Sequence, residues 1–114
     1  MSSDLSAEDR KLVTLARATR ARAGAAEGAA VRDLDGRTYA AATVALPSLE
    51  VSAVGVCVAM AIASGSRGLE AVVVLSEGAG VAEADLAIVR DFAGVDVPVL
   101  AGDPLGTVVS AERS

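Results

Sequence analysis

Residues 51–66 contain no charged side chain, and that run limits what the chain can become more than any other feature. It is too short for a membrane span, which takes about 20 apolar residues, and Pro47 and Glu50 lie just before it. It therefore predicts a helix over about residues 52–64 that is buried on nearly every side. A chain of 114 residues has room for one core around such a helix and not for two. Apolar residues are 53% of the total but aromatics only 2%. Ala, Val, Leu and Ile must then fill the interior, which they do only when backbones approach closely. In so small a chain, a helix covered all round is most simply explained if one face packs on another subunit. The expected interface is Val54, Cys57, Val58, Ala59, Ala61 and Ile62, in a homo-oligomer that is a dimer or a tetramer.

Other segments carry their own signals. Ser6 followed by Glu8 and Asp9 is a helix start, with a hydroxyl to cap the first turn and acids near the positive end of the dipole. That helix should end at Gly24. Residues 28–34 and 38–44 are rich in Ala, Val and Thr and are joined by Asp35-Gly36-Arg37, a hairpin signal. Pro47-Ser48 breaks the pattern. Residues 69–75 read as a strand buried on both faces, as happens when helices cover a sheet on either side. Residues 82–92 repeat Leu86, Val89 and Phe92 at helical spacing. Residues 97–101 and 107–110 are short strands around the turn Gly102-Asp103-Pro104-Leu105-Gly106. The order α-β-β-α-β-α-β-β predicts a three-layer α/β/α sandwich over a mixed five-stranded sheet with the strand at 69–75 central. One domain over residues 1–114 is expected, with 1–5 and 111–114 disordered.

Composition removes several classes of chemistry. The chain has no His and a single Cys, which rules out a Ser-His-Asp or Cys-His arrangement and leaves no ordinary general base near neutral pH. A zinc site of common type needs three or four Cys, His or carboxylate ligands gathered together, so no metal or other cofactor is expected. Cys57 sits in the uncharged helix, where burial raises the pKa of a thiol, and it reads as a core residue. Lone Cys57 also allows no internal disulfide, which fits the cytoplasm. The loop Gly78-Ala79-Gly80 lies where a phosphate cradle would, but Glu77, Glu83 and Asp85 would repel a phosphate. The formal net charge is −5, with seven bases and six acids through Arg37 and three bases and nine acids after it. Neither a nucleic acid nor a membrane is an expected partner.

The segments Gly28-Ala29-Ala30-Val31, Asp35-Gly36-Arg37-Thr38-Tyr39 and Thr43-Val44-Ala45-Leu46-Pro47-Ser48, followed by the uncharged helix, resemble the small homotetrameric cytidine deaminases. The stretch from Val81 to Phe92, then Asp96-Val97-Pro98-Val99-Leu100 and the turn at residues 102–106, extends the resemblance over nearly the whole chain. It implies the α/β/α fold and a homo-oligomer. In that family one zinc thiolate and a proton-shuttling Glu come from a Cys-Ala-Glu at the start of the second helix, where this sequence has Val54-Gly55-Val56. The other two thiolates come from a Pro-Cys-x-x-Cys, where it has Val81-Ala82-Glu83-Ala84-Asp85. Thr43 and Ala45 stand where the family has its substrate-binding Asn and Glu.

The resemblance thus marks Thr43, Ala45, Val54, Val56, Ala82 and Asp85 as a vestigial pocket with no catalytic residue. Two readings of function follow. In the first the chain is not an enzyme but a homo-oligomer acting through interaction with copies of itself or another protein. In the second it is a nucleoside-binding or other small-molecule-binding module whose reshaped, more apolar pocket disfavours cytosine, because the ring's amine and carbonyl would be left unpaired. Residual cytidine deaminase activity through carboxylates alone ranks last.

Overall fold

The computed structural model describes residues 5–114. Helix α1 spans Ala7–Ala23; the Ser6 hydroxyl accepts the Asp9 N–H at 3.1 Å, and Gly24 closes the helix in the left-handed conformation. Two antiparallel strands follow, β1 at Glu27–Asp33 and β2 at Thr38–Ala42. Next come a small separate hairpin of β3, Val44–Leu46, and β4, Leu49–Val51, then helix α2 at Ala53–Ala63. The chain continues through β5 (Leu69–Ser76), α3 (Glu83–Ala93), β6 (Pro98–Gly102) and β7 (Val108–Arg113). The main sheet has the order β2-β1-β5-β6-β7, parallel only between β5 and β6. This is the mixed five-stranded sheet expected, with β5 at its centre.

Alternation along β5 builds the three layers. Val72 and Val74 face one cluster, with Val54, Cys57 and Val58 of α2 and Leu86 and Val89 of α3. Ala71, Val73 and Leu75 face the other, with Leu12, Val13 and Ala16 of α1. Successive strand residues point to opposite faces, so one strand can serve both cores when both faces are covered. Gly28 lets α1 approach: a Cβ there would lie 2.3 Å from the Ala16 carbonyl oxygen.

Two turns of the sheet use the same device. Asp33 Oδ1 accepts the N–H groups of Asp35 and Arg37, and Asp103 Oδ1 accepts those of Leu105 and Thr107. In each the third residue after the Asp is a glycine at positive φ, Gly36 at 85° and Gly106 at 94°, a conformation that costs glycine little. Asp33 is fully buried, and its other oxygen accepts from Ser66. Burial pushes its carboxyl up, but the bonds from Ser66 and from the Arg37 and Asp35 backbones outweigh that and hold it below the usual carboxylate range.

Three expectations need correction. Residues 44–51 form the β3–β4 hairpin, with Pro47-Ser48 as its two-residue turn. Residues 111–113 belong to β7, and Ser114 fastens the end through bonds to Val97 and Gly94. Leu5 packs against the α1 cluster; the rest of the disordered N-terminal segment expected, residues 1–4, lies outside the described residues. Lastly, α2 is not buried on every side: Ala53, Val54, Cys57, Val58 and Ala61 are buried, but Ala59, Ile62 and Ala63 are exposed. Among the described residues no helix is long and apolar enough to cross a membrane.

Candidate functional site

The start of β1, the end of β2, the β3–β4 hairpin and the N-terminal ends of α2 and α3 come together at one end of the sheet. The β1–β2 pair closes with a clasp: the Glu27 N–H donates to Thr43 Oγ1 at 2.9 Å, and the Thr43 N–H donates to the Glu27 carbonyl at 3.1 Å. Glu27 then reaches the first turn of α2, where its Oε1 accepts the Ala53 N–H at 3.3 Å. A carboxylate is favourable there because the first N–H groups of a helix have no partner within it. Ser52 caps the same helix, accepting the Gly55 N–H at 3.0 Å, and its hydroxyl donates to Asp85 Oδ1 at 2.7 Å. Asp85 lies in the first turn of α3 and is only 4% exposed.

Beside this network lies a cleft of about 370 Å³ lined by Glu27, Thr43, Val44, Ala45, Glu50, Val51 and Ser52. A larger open hollow of about 550 Å³ lies on α1 between Ala7 and Leu15, but it shares no residue with the polar network. The smaller cleft is the better candidate, because convergent polar groups rather than volume define a binding site. Its polar side chains are oxygen acceptors and hydroxyls, with no cation among them.

Of the six pocket residues expected, Thr43 and Ala45 line the cleft. Asp85 lies behind it, joined through Ser52. Val54 is fully buried in the core, Val56 packs at the edge of that core, and Ala82 is exposed at the N-cap of α3. The cleft is also less apolar than expected, because Glu27, Glu50 and Ser52 face it. Ser52 could have been found from its place before an apolar helix, with Gly55 three residues on; Glu27 has no local signal. Of the six interface residues expected, Val54, Cys57, Val58 and Ala61 are used by the chain's own core, and only Ala59 and Ile62 face outward. Burial pushes the Cys57 thiol up to about 12, and its Sγ sits 3.6 Å from the Tyr39 carbonyl.

The zinc implied by the resemblance does not fit these residues. Val54 and Ala82 offer no lone pair, and the near oxygen of Asp85 already accepts from Ser52. Among the described residues no three His, Cys, Asp or Glu side chains gather closely enough to hold a metal ion.

Comparison with known proteins places this geometry in a lineage. Residues 5–106 match the family described as cytidine deaminase-like. The fold is similar to that of cytidine deaminase from Burkholderia pseudomallei, with a TM-score of 0.76 and 21% identity over 91% of this chain and 89% of that one. It is similar to cytidine deaminase from Mycobacterium leprae, at 0.72 and 18% over 90% of each chain. A mutant cytidine deaminase from Mycobacterium tuberculosis gives 0.71 and 19% over 84% and 85%. No curated protein matches the chain by sequence. The family match corrects the expectation that the chain is not an enzyme: a cytidine deaminase-like domain over residues 5–106 points to a deaminase enzyme.

Proposed function

This chain belongs to the cytidine deaminase-like family, and from that premise we propose that it works as a homo-oligomer in which the outward side of α2 meets a second copy of the chain. One observation carries the reading. Helix α2 has no charged residue from Ala53 to Ala63, yet Ala59, Ile62 and Ala63 are exposed, Ile62 by 54%. A helix side that faces water ordinarily carries charged or polar residues. Beside it lies a hollow of about 320 Å³ lined by Val58, Ile62, Ile88, Asp91 and Phe92, which can receive an apolar side chain from a partner. The lone Cys57 agrees with a reducing compartment such as the cytoplasm. Ala59→Arg tests the assembly, and because Ala59 faces outward the charge need not disturb the chain's own core. The expected result is a fall to the mass of one 11.3 kDa chain with melting behaviour retained; an unchanged oligomer mass contradicts the proposal.

The cleft supports a second reading, a site for a nucleoside-class small molecule. Glu27, Thr43, Glu50 and Ser52 all line it, and such acceptors suit sugar hydroxyls and ring or exocyclic N–H donors. Thermal melting against nucleosides, bases and nucleotides tests this, since a ligand at about 100 times its dissociation constant adds about 2.7 kcal/mol of stability. A rise confined to nucleosides supports the reading, and no rise across the panel refutes it. Ammonia release from cytidine measures deamination directly, and release lost in Glu27→Gln would assign it to this cleft.

A further inference from the structure

We infer that the Ser52–Asp85 hydrogen bond is a metal-free clasp that joins the N-terminal ends of α2 and α3, at the place where the resemblance puts a zinc. The argument starts from the two helix ends. Each presents unpaired N–H groups and a partial positive charge, so bringing two of them together is unfavourable unless an anion or several acceptors lie between them. A metal-bound thiolate set would supply that negative charge.

This chain supplies it differently. The Gly55 N–H of α2 donates to Ser52 Oγ, and the Ser52 hydroxyl donates onward to Asp85 in the first turn of α3. The Glu27 carboxylate accepts the Ala53 N–H on the same end of α2. The N-cap of α3, Ala82, has no side chain able to cap, so Asp85 supplies the polar link between the first turn of α3 and α2, beside the apolar packing of Leu86 and Val89. Val54, at the position of the first thiolate, is fully buried among apolar residues, where a cation would meet no donor. A carboxylate that is 4% exposed and hydrogen-bonded to a hydroxyl does the fastening, and these residues bind no zinc there.

The clasp and the metal are separable by experiment. Purified wild-type protein is assayed for bound zinc by elemental analysis, then melted with a chelator and with added zinc chloride. Zinc well below one equivalent, with a melting temperature that the chelator leaves unchanged, is expected. Stoichiometric zinc, or a chelator-induced fall in melting temperature, overturns the inference. Urea unfolding of Ser52→Ala, Asp85→Ala and the double variant then measures the bond itself. Each single change should raise the unfolding constant roughly 10- to 100-fold, the range for a hydrogen bond to a charged group. The double variant should be scarcely worse than the more damaging single one, because both remove the same interaction. Additive effects, or no effect of either substitution, overturn the clasp. Should Asp85→Ala fail to fold, the cycle is run with Asp85→Asn. That variant keeps an acceptor oxygen for Ser52 and loses the charge, so it should retain part of the coupling; a variant as damaging with Ser52 present as without it refutes the bond.

Discussion

Replacing Gly28 by Ala adds one methyl group, and the structure gives its cost. The new Cβ would lie 2.3 Å from the Ala16 carbonyl oxygen and 2.6 Å from Arg20 Cβ, against about 3.5 Å for an unstrained contact, so α1 must retreat by about 1 Å. The obstacle is backbone and the root of a side chain, neither of which can swing aside. Retreat lifts Leu12, Val13 and Ala16 off Ala30, Val73 and Leu75. Overpacking of this kind costs about 1–3 kcal/mol, and a backbone clash belongs at the upper end. Against it stands the gain of about 0.4–1 kcal/mol from a less flexible unfolded chain. The net loss is about 2 kcal/mol, which lowers the melting temperature by about 10 °C in a domain of this size. Gly78→Ala is the control, because a Cβ at Gly78 meets nothing within 4 Å. Thermal melting followed by far-UV circular dichroism reads both variants. If Gly28→Ala melts with the wild type, α1 does not sit on β1 as closely as described.

Other expectations follow from single residues. Cys57, with its thiol pushed up to about 12 by burial, should resist a thiol-specific disulfide reagent in the native protein at pH 8 and react once urea unfolds it; fast native labelling would contradict its burial. The Asp33 carboxyl is held below its ordinary range in the folded state. Its contribution is therefore complete above the unfolded carboxylate pKa of about 3.9 and disappears as pH falls through the lower folded value. Asp33→Asn should be less stable at neutral pH and lose less on acidification, as read by urea unfolding across pH 2–7; an equal acid loss in both proteins would refute the assignment. Asp103→Ala removes the acceptor of two backbone N–H groups and should cost about 1–2 kcal/mol by urea unfolding, with a loss below experimental error as the contrary result.

Wherever periodicity, caps and turn residues agreed, the sequence was a sufficient guide. Ser6 and Gly24 bound α1 because capping chemistry is local. Residues 69–75 lie at the sheet centre because the unbroken apolar run at 71–75 needs cover on both faces. Hidden features were those with strands too short to show a pattern or with partners distant in sequence. The strands of the β3–β4 hairpin are three residues each, too short for alternation to register, and Pro47 reads as a stop. Residues 111–113 have no apolar pattern, since half of an edge strand faces water, and they are held by pairing with β6 and by the bonds of Arg113 and Ser114 to residues 94–97. The lack of charge in α2 told of a helix packed in the core without telling that the chain itself covers only the side carrying Ala53, Val54, Cys57, Val58 and Ala61. At the candidate site, the resemblance pointed to Thr43, Ala45 and Asp85. Glu27 and Ser52, which complete it, act across 26 and 33 residues of sequence.

The proposed assembly of α2 against a second copy is tested most directly by the mass of the wild-type protein in solution, measured by sedimentation equilibrium over a wide range of concentrations. A mass of two or four 11.3 kDa chains that persists on dilution, and falls to one chain in Ala59→Arg, is the predicted result. A wild-type mass of one chain at every concentration would contradict it.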